Sequence, residues 1–131
     1  MTLIKRKNKT IKIKKFNLLE NSPQKKGVVI KATVVTPKKP NSARRSVVKA
    51  EISSFKQLYA YIPGIGHNLK KHSLVLISGR GARDLPGVSF RCIRGKYDLM
   101  GVSGRVSRRS IYGIKILSES KKRIRRKFRQ I

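Results

Sequence analysis

Short stretches in which apolar and polar residues alternate dominate the middle of this chain. Residues 57–62 give the clearest case, with Leu58, Ala60 and Ile62 on one face and two tyrosines on the other. A period of two residues is typical of a strand with one buried face. Four more stretches rich in valine, isoleucine or leucine have strand length, and they lie at residues 27–36, 46–53, 73–78 and 89–94. The pattern therefore predicts five short strands.

Glycine and proline clusters separate the predicted strands. Residues 63–64 and 85–87 are examples, and such clusters are strong turn signals. Five short strands with these connections favour an all-β fold, and we predict a five-stranded open Greek-key barrel of the OB type. Residues 23–96 would form the barrel, between a long basic N-terminal arm at 1–22 and a basic C-terminal extension at 97–131.

The two ends of the chain lack this alternation and are rich in basic residues. Residues 1–16 form a lysine-rich lead, which fits either a solvated arm or an extension that threads through RNA. The basic character of the whole chain favours the second interpretation. Residues 101–115 are predicted to form an extended basic strap, and residues 118–130 a short helix. That helix has little apolar face, so RNA or protein would have to stabilise it.

The charge balance points to a polyanionic partner. The chain of 131 residues carries a formal net charge of +29, from 34 lysines and arginines against 5 acids. Charges of one sign repel each other in a compact fold, and binding to nucleic acid phosphates relieves this repulsion. A membrane surface is a weaker candidate, because no hydrophobic face lies opposite the cations. No apolar stretch is long enough to cross a bilayer, so we predict nucleic acid and no membrane.

The chain offers no convincing set of catalytic or metal-ligating residues. The acids are scattered, and the spacing of His67 and His72 does not place them on the same face of a helix. Cys92 is the only cysteine, so no internal disulfide is possible, and its strand context predicts a small buried hydrophobe. We therefore predict that the chain is not an enzyme and has no metal, cofactor or small-molecule substrate.

The loop at residues 36–45 is the most informative stretch. Its two prolines fix the backbone and remove N–H donors, so the loop joins neither a helix nor a central strand. Asn41 and Ser42 carry short groups that both donate and accept hydrogen bonds. Aromatic residues make up only 6% of the chain and tryptophan is absent, although Tyr59 and Tyr61 could stack on bases. We therefore predict contact with structured RNA, through charge, shape and 2′-hydroxyls.

Asp84 is one of the few acids, and it lies in a second turn after Arg83. It could form a local salt bridge that holds the turn, which would contribute little if exposed. Alternatively, this turn is a second loop tip near RNA, in which the carboxylate of Asp84 orients the side chain of Arg83. Both interpretations remain open at this point.

Three motifs resemble the signatures of the small-subunit ribosomal protein twelve family. They are TPKKPNSA at 36–43, YIPGIGHNL at 61–69 and DLPGV at 84–88, and residues 22–27 and 110–115 extend the match. The resemblance covers most of the chain, and its motifs follow the order of the family.

This resemblance implies an OB-type barrel on the small ribosomal subunit, with an arm that runs into ribosomal RNA. It implies a place at the decoding site, beside neighbouring ribosomal proteins and close to mRNA and A-site tRNA. Two loops would approach the RNA bases that inspect the codon–anticodon minor groove, and the protein would tune translational accuracy. The first loop is Lys39, Pro40, Asn41 and Ser42, and the second is Arg83, Asp84, Leu85 and Pro86.

The predicted RNA contacts fall into two groups. Those of the two loops and their flanks are Lys38, Lys39, Pro40, Asn41, Ser42, Arg44, Arg45, Arg83, Asp84, Leu85 and Pro86. Those of the extensions and the start of the barrel are Lys5, Arg6, Lys25, Lys26, Arg105, Arg108, Arg109, Lys115, Arg123, Arg125 and Arg126.

The chain departs from the family at two loop positions. Arg83 stands where the family usually has lysine, and Gly81 where it usually has arginine. Changes at the loop lysines of the family affect decoding accuracy and the response to streptomycin. Because arginine and lysine differ in geometry and hydration, we expect altered accuracy or drug sensitivity in this chain.

The abundance of isoleucine, lysine and asparagine suggests an AT-rich gene. Together with the divergent ends, this favours a mitochondrial ribosome, and a chloroplast or a bacterial cytoplasm remains an alternative. The rival function is a free OB-type protein that binds single-stranded nucleic acid or acts as an RNA chaperone. Such a protein would bind through exposed aromatic residues, so the few aromatics and the basic ends favour the ribosome.

Overall fold

The computed structural model describes residues 18–20, 22–53 and 55–116. Within these ranges all five predicted strands are present, and the all-β fold is confirmed. They are β1 (Gln24–Val35), β2 (Arg45–Ile52), β3 (Gln57–Tyr61), β4 (Leu74–Gly79) and β5 (Phe90–Ile93). The largest difference is at β1, which begins at Gln24 rather than at residue 27.

The strands form a closed barrel in the order β1-β2-β3-β5-β4, with β4 pairing back onto β1. All pairs are antiparallel except β3 with β5. We expected an open barrel, and closure follows from the long first strand. Its first half pairs with β4 and most of its length with β2, with a register shift between Val29 and Lys31. Such an irregularity bends a strand, which lets β1 serve both neighbours and leaves no free edge.

The apolar residues of the alternating pattern face the interior of the barrel, and the polar residues between them face solvent. Leu58, Ala60 and Ile62 are buried in the core as predicted, while Tyr59 is 47% exposed. Cys92 is buried among them as a small hydrophobe, also as predicted, and burial raises the pKa of its thiol to about 12.

A second, smaller cluster lies outside the main core. It consists of the buried side chains of Val47, Leu85 and Val88, with Tyr61 and other partly buried residues packed against them. Because Leu85 and Val88 belong to the connection between β4 and β5, this cluster attaches that connection to the barrel wall.

The segment after β5 differs from the predicted strap. A four-residue helix, α1 (Arg109–Tyr112), interrupts it. Left-handed residues flank this helix, Arg108 with a φ of 54° and Gly113 with a φ of 66°. A left-handed residue ends a helix, so α1 remains one turn long. No helix in the described part of the chain is long and apolar enough to cross a membrane.

Several predictions fall on the ends of the chain. The N-terminal lead at 1–16 and the helix at 118–130 lie outside the described residues. Leu19, which we assigned to the arm, is 5% exposed and packs with the barrel core. The three domain boundaries themselves stay predictions.

Candidate nucleic-acid interface

The first loop, residues 36–44, connects β1 to β2 and is almost entirely exposed. Every residue from Lys38 to Arg44 is open to solvent. The Asn41 N–H donates to the Lys38 carbonyl over 3.1 Å, which closes a turn around Pro40. The loop curves around an open concavity of about 780 Å³, which is lined by residues such as Lys39, Asn41 and Ser42. These side chains are therefore available to a ligand.

The second loop, residues 82–87, lies between β4 and β5 and has an anchored and an exposed part. Arg83 and Pro86 are exposed, whereas Leu85 is 4% exposed and packs in the second cluster. Leu85 was predicted to contact RNA. Its buried side chain holds the backbone of the loop, and the RNA contact of this residue stays a prediction.

Asp84 joins the two loops. Its backbone carbonyl accepts a hydrogen bond from the Lys38 N–H over 2.8 Å. Its carboxylate accepts a bond from Arg45 over 2.5 Å and a longer one from the Asn41 side-chain amide over 3.5 Å. The local salt bridge considered for Asp84 is wrong, since its ion pair reaches a distant residue, Arg45, rather than the neighbouring Arg83. The placement of this turn near RNA stays a prediction.

The ion pair is partly buried, because the side chain of Arg45 is 30% exposed and that of Asp84 is 19% exposed. The hydrogen bond to Asp84 raises the pKa of Arg45, although partial burial opposes this rise. Charge-assisted bonds of this kind are stronger than neutral ones. The pair therefore fixes the base of the first loop to the second loop.

The predicted contacts in the extensions divide into three groups. Lys25 forms an ion pair with Glu20, and Arg105 stacks on the Tyr112 ring at 4.0 Å, so both already have protein partners. The exposed basic residues are Lys26, Arg108 and Lys115, and Arg109 is half-buried. Those outside the described residues are Lys5, Arg6, Arg123, Arg125 and Arg126.

Sequence reasoning missed Arg94, which lies just after β5 and is 5% exposed. Its guanidinium donates to the carbonyls of Pro63, Gly66 and Met100, the last over 3.2 Å. Desolvation lowers the pKa of Arg94. The side chain ties the 63–66 loop to the segment after β5. A signal was present, because the alternation of Phe90 and Cys92 continues inward to residue 94.

The chemistry of the interface is that of binding. The exposed tips of the two loops carry cationic side chains, one amide and one hydroxyl. The contacts of Asp84 connect the two loops below these tips. In the described ranges no group of three histidine, cysteine, aspartate or glutamate side chains could hold a metal.

Comparison with known proteins gives the family. The model for the family described as Ribosomal protein S12/S23 matches residues 12–129. The chain belongs to this family. A curated relative, the small ribosomal subunit protein uS12m of Paramecium tetraurelia, is 60% identical over 109 residues. The match covers 83% of this chain and 78% of the relative.

Family membership confirms several predictions. The resemblance to small-subunit ribosomal protein twelve is confirmed, and the chain is a structural protein of the ribosome. The likeness to a mitochondrial small-subunit protein also confirms the mitochondrial location that we expected. The family is one of ribosomal structural proteins and is not known for enzymatic activity.

The backbone contacts of Gly81 explain why this position has no side chain. A Cβ atom at Gly81 would lie 2.1 Å from the Val88 carbonyl oxygen, far inside contact distance. The Gly81 N–H donates to the Ser89 carbonyl over 2.8 Å, so the two backbones are in direct contact. Arginine therefore does not fit at position 81 in this backbone. The neighbouring Arg80 is exposed and has a φ of 77°.

Proposed function

We propose that this chain binds small-subunit ribosomal RNA at the decoding centre of the mitochondrial ribosome and tunes accuracy at the A site. The observation that carries the proposal is the link from Asp84 to Arg45 and Lys38. Because this link joins the two loops, their tips form one unit that meets the RNA together. Neighbouring small-subunit proteins, mRNA and A-site tRNA are then close to this unit.

The tips carry groups suited to inspecting RNA shape. Asn41 and Ser42 are exposed, and each both donates and accepts hydrogen bonds. A correct codon–anticodon pair has a fixed minor-groove shape with 2′-hydroxyls at set positions. One net hydrogen bond to the RNA that reads this shape contributes about 1 kcal/mol, and a difference of that size changes a population ratio roughly five-fold.

The charge around the tips supplies affinity. Lys39, Arg44 and Arg83 are exposed, and none of them has an ion pair among the described residues. Cations of this kind neutralise phosphates and release counterions. If the whole chain neutralises about ten phosphates, its affinity for ribosomal RNA should fall by several decades between low and moderate salt.

Sedimentation followed by crosslinking tests this function. The full chain, with a photoreactive group at Asn41, should sediment with small subunits and crosslink to decoding-site RNA. The same group at Lys71, an exposed residue before β4, is the control and should not reach that RNA. An Asn41 crosslink to RNA elsewhere in the subunit would contradict the decoding role. A chain that never comigrates with small subunits would contradict the whole proposal and favour the alternative, a free nucleic-acid-binding protein.

A further inference from the structure

A cavity on the flank of the barrel, beside the second loop, has no role in the function proposed above. It has a volume of about 230 Å³ and lies between the end of β3, the residues after β4, β5 and α1. Its charged lining residues are Arg80 and Arg91, and its aromatic ones are Tyr61 and Tyr112. We propose that it binds a single nucleotide of ribosomal RNA, with the phosphate between the two guanidinium groups. This inference rests on the proposed binding of ribosomal RNA.

The sheet fixes Arg91 at this cavity. Arg91 lies between Tyr61 of β3 and Ser78 of β4 in the strand register. Its Nε donates to the Ser78 hydroxyl over 3.4 Å, and no other partner for this side chain is found in the described ranges. The terminal amino groups are thus available, and a planar guanidinium matches the geometry of a phosphate.

Arg80 is the second cation that lines the cavity, and it follows directly after β4. Arg80 is exposed and adopts a left-handed conformation with a φ of 77°. The following residue, Gly81, is pressed against the Val88 carbonyl and cannot carry a side chain. A cation in this part of the loop is therefore possible at position 80 and not at 81. The chain thus keeps an arginine beside the cavity.

The Tyr112 ring has close contacts with two other parts of the chain. Arg105 stacks on the Tyr112 ring at 4.0 Å. A Cβ atom at Gly64 would lie 3.1 Å from the same ring, so the backbone is in close contact with it. Together these contacts immobilise Tyr112, and a site with fixed walls loses little conformational entropy when it binds a ligand.

The size and charge of the cavity select the ligand. No acid is present among the described residues that line it, so it attracts an anion rather than a cation. Its volume is below the roughly 300–1,000 Å³ of pockets that enclose drug-sized ligands, and it does not admit a nucleic acid helix. A phosphate with its attached sugar satisfies the two arginines and also contacts the tyrosines and the apolar Pro63 and Ile111.

Photocrosslinking at two positions tests the proposal. Small subunits are assembled with the full chain carrying Ile111→p-benzoylphenylalanine, and a second preparation carries the same group at Asn41. Ile111 lines the cavity and is 39% exposed, so it tolerates a larger side chain. We expect the group at residue 111 to crosslink to one short tract of ribosomal RNA. The paired substitutions Arg80→Gln and Arg91→Gln should abolish this crosslink while the Asn41 crosslink persists.

A matched variant controls for loss of charge. Lys70→Gln with Lys71→Gln removes the same charge from exposed residues at the opposite end of β4, and it should leave the residue 111 crosslink unchanged. On a transcript of the small-subunit RNA, the arginine variant should bind roughly ten-fold more weakly, and its salt slope should fall by about one. Thermal unfolding of each variant verifies that it is folded.

The outcomes separate this inference from the proposed function. An Asn41 crosslink to RNA without one from residue 111, or a residue 111 crosslink to protein only, overturns the nucleotide site and leaves the proposed function standing. A residue 111 crosslink that survives the arginine substitutions also overturns it. A residue 111 crosslink to one RNA tract without decoding-site contact from Asn41 supports the nucleotide site and contradicts the decoding role.

Discussion

Arg45 and Asp84 lie 39 residues apart in the chain, yet the guanidinium of one donates to the carboxylate of the other over 2.5 Å. The backbone of the same aspartate accepts a bond from the Lys38 N–H. These contacts connect the base of one loop to the middle of the other. An aspartate in a strongly basic chain thus acts as a structural link between two cationic loops.

The first prediction concerns this link. Asp84→Asn removes the carboxylate charge and should lower the free energy of unfolding by about 1 kcal/mol, as expected for a partly exposed ion pair. Amide hydrogen exchange in residues 36–44 should accelerate, because the first loop loses the charged side-chain part of its attachment and keeps only the backbone bond from Lys38. Measurement by denaturant unfolding and exchange tests both effects.

Arg83→Gln is the matched control for Asp84→Asn. It also changes the charge by one, but Arg83 is exposed and does not take part in the ion pair, so unfolding and exchange should stay the same. A double-mutant cycle with Arg45→Gln measures the coupling. If the changes in unfolding free energy caused by Asp84→Asn and Arg45→Gln simply add, the two side chains are not coupled, and the ion pair does not stabilise the connection between the loops.

The second prediction concerns Gly81. Because a Cβ atom there would lie 2.1 Å from the Val88 carbonyl oxygen, Gly81→Ala forces the backbone apart. It should lower the free energy of unfolding by about 1–3 kcal/mol. The control is Gly79→Ala, two residues earlier, where the Cβ atom would meet only Leu19 at 3.9 Å. Equal stability of the two variants in thermal unfolding would contradict the close backbone contact.

The strands could be predicted because their signal is local. The alternation of the apolar Leu58, Ala60 and Ile62 with polar residues indicates by itself which face of the strand each residue occupies. Closure of the barrel could not be predicted in the same way. It depends on β1 being long enough to pair with both β2 and β4, and on the register shift after Val29, which no local pattern marks.

The candidate site was predictable only in part. The tip residues Asn41 and Ser42 are exposed as their loop motif indicates. The partner of Asp84 was missed because it comes from a distant strand, and nothing in the sequence near Asp84 points to Arg45. Arg94 had a signal in the strand alternation, but its carbonyl partners at Pro63 and Gly66 are set by the tertiary fold.

The third prediction concerns Cys92 and pH. Burial raises the pKa of its thiol from the ordinary value of 9.0 to about 12, with the charge of Arg94 opposing the rise. The folded chain therefore keeps a proton that the unfolded chain loses. This contribution to stability is complete below about pH 9 and is lost as the pH rises toward 12, with a slope of up to about 1.4 kcal/mol per unit.

Denaturant unfolding at several pH values between about 8 and 11 measures this slope. Cys92→Val keeps a small apolar side chain and lacks the thiol, so its stability should fall less steeply than that of the unchanged chain. The difference between the two proteins removes the titration of the lysines, which is common to both. If the free energy of unfolding of the two proteins falls equally with pH, burial does not raise the pKa of the thiol.

The fourth prediction concerns Arg94. Arg94→Gln leaves the buried carbonyl of Pro63 and the partly buried one of Gly66 without their charged donor, and it should lower the free energy of unfolding by about 3 kcal/mol. Arg94→Lys should rescue little, because a single ammonium does not reproduce a planar fork of donors. Lys71→Gln, in an exposed turn before β4, is the control for loss of charge. A lysine variant as stable as the unchanged chain would contradict the role of the guanidinium geometry.

The last prediction concerns decoding. Arg83 is exposed in the second loop, next to the aspartate that holds the first loop. Arg83→Lys exchanges a planar, weakly hydrated cation for a compact, strongly hydrated one without changing the charge. Subunits that contain this variant should therefore differ in misreading or in their response to streptomycin. The conservative exchange Lys71→Arg, in an exposed turn before β4, should leave both properties unchanged. If Arg83→Lys alters neither misreading nor drug response, then Arg83 does not contact the RNA that monitors the codon.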